Sequence, residues 1–173
     1  MKNIFSGILN TIVAASVVVV PVIAYAQQQD QQDMLQKQEE AHCLAQNIYF
    51  EARGSNFADK VSVADVVINR TKDRRYPSTI CDVVRQGNTD SNGNMIRNQC
   101  QFSWYCDGKS DEPTNQDAWE EAMLIAWNMV EYNRYTGLTE GSTHYHATYV
   151  NPYWVKDMQL VGRIGAHVYY RWE

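Results

Sequence analysis

Leu44-Ala45-Gln46-Asn47-Ile48-Tyr49-Phe50-Glu51-Ala52-Arg53-Gly54 runs an apolar helical pattern into a single carboxylate and then a glycine. Leu44 and Ile48, with Tyr49 and Phe50 behind them, place Glu51 in the last turn of a buried helix, with Gly54 as the expected stop. A carboxylate among Tyr49, Phe50 and Ala52 is disfavoured in its charged form, so its pKa is expected to rise. An acid that keeps its proton near neutral pH is what a glycosidic oxygen needs before its bond breaks. An ordinary surface glutamate at a helix end has the same local sequence, so this stretch alone leaves the role of Glu51 open.

Outward from that helix, Asn56 reads as a cap, with Asp59 reaching back to it in capping-box fashion. Val61, Ala64, Val67 and Ile68 then form one apolar stripe, which predicts a helix over 57–71. Ser78 is expected to cap a short third helix that ends at Gly87. Asn92-Gly93 is the strongest short turn signal in the chain and predicts a hairpin or extended loop. Trp119, Ala122, Met123, Ala126, Trp127 and Val130 predict a long core helix. Thr143 to Tyr149 reads as a strand, and Arg163 to Tyr170 as a final short element.

With 173 residues the chain suits one domain with a real core. Net charge is -5 and no basic stripe could track a phosphate backbone, which argues against nucleic acid as a partner. Residues 1–26 read as a signal peptide: Lys2 leads an apolar run over 8–20, and Ala24-Tyr25-Ala26 is a small-x-small cleavage pattern. An uncleaved N-terminal anchor is the other reading; contact with a membrane is expected through this segment only. Export to the periplasm or beyond the cell follows in either case. Residues 27–40 are half glutamine and nearly devoid of apolar side chains, so a linker or frayed helical lead-in is expected before a domain over 41–173. Cys43, Cys81, Cys100 and Cys106 fit two disulfides in an exported chain, with three connectivities open. No heptad or symmetric patch is visible, and a monomer is expected.

Two further stretches carry chemistry. In Gln99 to Cys106 polar and aromatic residues alternate between cysteines. Gln101, Phe102 and Ser103 could bind and stack on sugars, or equally form a core strand. His144 and His146 lie two apart, on one face of a strand. They could hold zinc with a third ligand, but no HExxH helix accompanies them, and no metal or other cofactor is expected.

These stretches together resemble the SleB-type cell wall hydrolase family. The matching blocks are Asn47 to Gly54, Val63 to Arg70, Tyr76 to Val84, Gln101 to Trp104, Thr143 to Ala147 and Arg163 to Val168. The resemblance implies an α+β, mostly helical, lysozyme-like fold with a small β-hairpin or sheet element, acting on peptidoglycan glycan strands. It further implies Glu51 as catalytic acid, with Gln101, Phe102, Ser103, Tyr145 and His146 lining the groove.

Hydrolysis by two carboxylates needs a second Asp or Glu about 5–9 Å from the first. No other carboxylate stands in an aromatic, groove-like setting, since Asp59 reads as a cap and Asp65 as a helix residue. The expected reaction is therefore lytic transglycosylation between N-acetylmuramic acid and N-acetylglucosamine. In it Glu51 first donates a proton to the leaving oxygen and then accepts one from the muramic acid C6 hydroxyl. The alternatives are muramidase-type hydrolysis of the same bond, an N-acetylmuramoyl-L-alanine amidase and, further off, a non-catalytic peptidoglycan-binding domain.

Overall fold

In a computed structural model the protein is described over residues 6–172, with side chains from 22 onward. The expected signal segment therefore lies for the most part outside the residues whose side chains are described. Among the described residues no helix is long and apolar enough to cross a membrane. The first helix, α1 (Ser6–Ala52), includes the glutamine-rich stretch as continuous helix. The chain divides into two compact units, the first ending at Lys37 and the second beginning at Gln38.

Within the second unit the end of α1 is a core helix. From Cys43 to Tyr49 every residue is buried except Gln46, which is partly covered. A helix apolar on all sides must be surrounded by other elements. Those elements are α2 (Phe57–Lys72), α3 (Ile80–Val84) and α4 (Gln116–Tyr132). Leu44, Ile48, Val61, Val67, Val84, Ile125 and Met129 belong to the resulting core.

The caps follow local chemistry. Asn56 accepts from the Asp59 N–H at 3.0 Å, and Asn115 from the Ala118 N–H at 2.9 Å. Helix α3 is capped by Thr79 rather than the expected Ser78: its hydroxyl accepts from the Asp82 N–H at 3.2 Å. The Glu40 carboxylate adds a second acceptor, at 2.6 Å from Ile80 N and 3.1 Å from Cys81 N. A disulfide between Cys43 and Cys81 joins α1 to α3 at the same place. The Tyr49 hydroxyl, from inside α1, accepts the Thr114 and Asn115 N–H groups at 3.0 Å each.

Helix α2 buries four charged side chains, and each has partners. Lys60 pairs with Glu121 at 2.5 Å. Asp65 is a core residue; it accepts from the Gly137 and Thr139 N–H groups, both at 2.8 Å, and from the Thr139 hydroxyl at 2.6 Å. Arg70 and Asp59 belong to the site below. Asp59 corrects the sequence expectation: its backbone serves the cap while its side chain turns into the interior.

The β structure is small. β1 (Gly87–Thr89) and β2 (Met95–Cys100) form an antiparallel hairpin around Asn92-Gly93, as that dipeptide predicts. A 3-10 turn over Ser103–Cys106 follows, pinned by the Cys100–Cys106 disulfide. A second sheet has the order β3-β5-β4, all antiparallel. Its strands are β3 (His144–Ala147), β4 (Gln159–Ile164) and β5 (His167–Arg171). The stretch read from sequence as one final element is thus a hairpin, turning at Gly165 with φ +56°. The architecture is the mostly helical fold with a small β element that the sequence implied.

Candidate active site

Glu51 stands in the last turn of α1, which ends at Ala52. The element facing it is β3, whose alternation sends Tyr145 to one side and His144 and His146 to the other. Tyr145 donates its hydroxyl to Glu51 Oε2 at 3.1 Å. Burial raises the Glu51 carboxyl above its ordinary range, opposed by the Tyr145 hydrogen bond and by the charges of His167 and Arg70. The Tyr145 hydroxyl is pushed well up by burial and by the Glu51 charge, so it stays protonated and donates to the carboxylate.

Arg70 reaches this neighbourhood from α2. Its Nε–H donates to the Thr143 carbonyl at 2.8 Å. Its guanidinium lies 5.1 Å from the ring centres of both Tyr76 and Phe102. A signal for it exists in the sequence: Val63, Val67 and Arg70 continue one helical face, so a cation takes a core position. Asp59 and His167 adjoin Tyr145. His167 Nδ1 is 2.7 Å from Asp59 Oδ1, and the His167 and Tyr145 ring centres are 5.1 Å apart, edge to face.

The other sequence candidates divide. Phe102 is buried beneath Arg70, so it is a wall behind the site rather than an exposed stacking face. Gln101 and Ser103 are exposed. Trp104, next in line, stacks on Phe50 with ring centres 4.7 Å apart and planes within 20°. His146 does not join Tyr145: it stacks on Tyr170 at 5.3 Å and meets Trp154 at 5.7 Å on the other face of β3. His144 shares that face with Trp154 and Trp172. Burial, with Arg70 and Arg75 nearby, lowers its pKa to about 4. All four cysteines are in disulfides.

Two open clefts are lined by residues close to Glu51 in the chain. One, of about 260 Å³, is lined by Phe50, Arg53, Trp104, Asp107, Lys109, Ser110 and Asp111. The other, of about 310 Å³, is lined by Gly54, Ser55, Asn56, Asp59, Thr148, Arg163, Gly165 and Ala166. The aromatic rings of Phe50 and Trp104 edge the first beside four charged residues, and hydroxyl, amide and backbone groups edge the second beside Asp59 and Arg163. A polymer rich in hydroxyls and apolar ring faces suits both.

Comparison with known proteins agrees with this architecture. A family model described as Cell Wall Hydrolase matches residues 54–170. The catalytic domain of the germination-specific lytic transglycosylase SleB from Bacillus anthracis superposes with a TM-score of 0.56 at 21% identity, over 76% of this chain and 93% of that one. The catalytic domain of the Bacillus cereus SleB protein gives 0.54 at 22% identity, over 78% and 91%. No curated protein matches the chain. With a family model covering well over half of its length, the chain belongs to the SleB-type family of cell wall hydrolases.

Proposed function

We propose that the protein is a lytic transglycosylase of peptidoglycan, with Glu51 as its acid and base. The observation that carries this reading is the partly buried carboxyl of Glu51, hydrogen-bonded by Tyr145, with its chain neighbours Phe50 and Gly54 each lining a cleft. The glycan would run from one cleft past Glu51 into the other, with the bond between N-acetylmuramic acid and N-acetylglucosamine at the carboxyl.

Protonated Glu51 donates to the leaving glycosidic oxygen. As the bond breaks, the carboxylate is stabilised by the Tyr145 hydroxyl and the nearby Arg70 charge. The same carboxylate then takes the proton of the muramic acid C6 hydroxyl, whose oxygen closes on C1 to give a 1,6-anhydro product. Asp59, the buried carboxylate of this region, is already held by His167, Tyr169 and the Ala166 N–H. A base dedicated to activating water is therefore harder to find than a substrate hydroxyl. The leader over 1–26 would bring the chain to its substrate outside the cytoplasm, and the domain from about residue 41 would carry the reaction.

Mass spectrometry of the products from purified peptidoglycan is the test. Anhydro-muropeptides are expected; reducing-end sugars would mean that water attacks, and free peptides with intact glycan would mean an amidase.

Tyr145→Phe probes the same site. It removes a hydrogen bond to the carboxylate, so Glu51 should hold its proton to higher pH. Because the protonated form begins the reaction, the alkaline limb of the kcat profile should move upward. The rate at the optimum should fall roughly tenfold or more, as expected for a charge-assisted hydrogen bond of about 1.5–3 kcal/mol. A profile with the wild-type limb and rate would remove Tyr145 from the mechanism.

A further inference from the structure

Asp59 is fully buried, yet it belongs neither to the apolar core nor to the cap for which its backbone is used. Its side chain gathers one end of the second sheet. Oδ1 accepts from His167 Nδ1 at 2.7 Å and from the Tyr169 hydroxyl at 3.4 Å, and Oδ2 from the Ala166 N–H at 3.2 Å. The turn between β4 and β5 presses against it so closely that a Cβ on Gly165 would stand 2.7 Å from Asp59 Cβ. Burial would raise this carboxyl, but hydrogen bonds from His167, Ser55 and Ala166 outweigh it and hold the pKa below its ordinary value. Asp59 is therefore an acceptor, and His167 Nδ1 carries the proton between them.

The two side chains that Asp59 holds are the two aromatic walls of Tyr145. Tyr169 is directly opposite Tyr145 in the β3–β5 register, with ring centres 5.8 Å apart. His167 lies edge to face with Tyr145 at 5.1 Å. Neither wall touches Glu51 through a hydrogen bond, but both fix the ring whose hydroxyl does.

We propose that Asp59, acting through His167 and Tyr169, is the positioning residue that keeps the Tyr145 hydroxyl on Glu51. The proposal rests on the reading of Glu51 as the acid. The charged or titratable groups facing Glu51 are Tyr145 from β3, His167 from β5 and Arg70 from α2. Loss of the anchor changes the first two and leaves Arg70 in place. A freed Tyr145 and a missing His167 charge act in the same direction, each making the Glu51 carboxylate less favourable.

The test uses the full chain with His167→Phe, which keeps a ring against Tyr145 but cannot bond Asp59, and His167→Gln, whose amide can. Two readouts are taken: the ¹³C titration midpoint of the Glu51 carboxyl, and kcat and KM on peptidoglycan. For His167→Phe the midpoint should rise by roughly half a unit or more. Its kcat should fall roughly tenfold with KM little changed, the pattern of a misplaced catalytic group. His167→Gln should recover most of kcat while its midpoint stays raised, because the bond returns without the charge.

A folded His167→Phe variant with wild-type midpoint and kcat would overturn the proposal. So would a His167→Gln variant as impaired as His167→Phe, with both losses tracking melting temperature. If His167→Phe does not fold, His167→Gln decides alone, and a folded His167→Gln variant with kcat reduced roughly tenfold or more rejects the idea. The carboxyl titration does not depend on turnover. A raised midpoint together with an active Glu51→Gln enzyme would therefore place the failure in the role of Glu51 and not in the anchor.

Discussion

Glu51→Gln should lower peptidoglycan cleavage by roughly 10²–10⁴-fold, the usual contribution of a positioned general acid and base. The amide keeps the size of the side chain and can still accept from Tyr145, so the groove should bind glycan as before. It can neither deliver a proton to the leaving oxygen nor receive one from the C6 hydroxyl. Stability should not fall with activity. Burial already disfavours the charged carboxylate, so a neutral isostere should leave the melting temperature unchanged or slightly raised. Product analysis and a thermal melt on the same preparation read both effects. An active variant would disprove the role of Glu51, whereas a variant that is inactive because it is unfolded would say nothing of chemistry.

Removing the Cys43–Cys81 disulfide should cost more stability than removing Cys100–Cys106. The bridge closes a loop of 38 residues in sequence separation, and the other a loop of 6. On the loop-closure argument the first is worth about 4 kcal/mol and the second about 2 kcal/mol. In a domain of this size the first loss corresponds to a fall in Tm of roughly 10 °C. Its position enlarges the consequence. Cys43 is two turns before Glu51 on the same helix, and Glu40, which caps α3, is one turn before Cys43. Loosening that junction frees the support of the helix that presents the acid. Thermal melts of Cys43→Ser/Cys81→Ser and Cys100→Ser/Cys106→Ser double variants should therefore fall in that order. Equal melts, or a larger loss from the short bridge, would contradict it.

The helices were legible because period and caps agree: the α2 stripe and the Asn56 cap both return in the structure. Asn92-Gly93 marked its hairpin for the same local reason. What could not be read depends on residues far apart. The pattern from Asn56 to Asp59 is satisfied by backbone alone, so nothing nearby says that the carboxylate reaches a histidine 108 positions later. The β4–β5 turn was missed because Gly165-Ala166 is a weak turn signal and the half-exposed β4 shows no clean alternation. Disulfide pairing was undecidable from spacing, as any two of the four cysteines could have met. Adjacent strand residues face opposite ways, so only Tyr145 of the Tyr145-His146 pair looks toward Glu51, while His146 faces Tyr170 and Trp154.

The Tyr49 hydroxyl has a consequence for how the molecule opens. Thr114 and Asn115 lie on the surface, where amide protons ordinarily exchange with water through local fluctuations. Their N–H groups are bound instead to a buried side chain rooted in the last turns of α1. Their exchange with deuterium should accordingly be paced by undocking of α1 rather than by the fraying of their own loop. These two surface amides thus serve as a clock for the helix that carries Glu51.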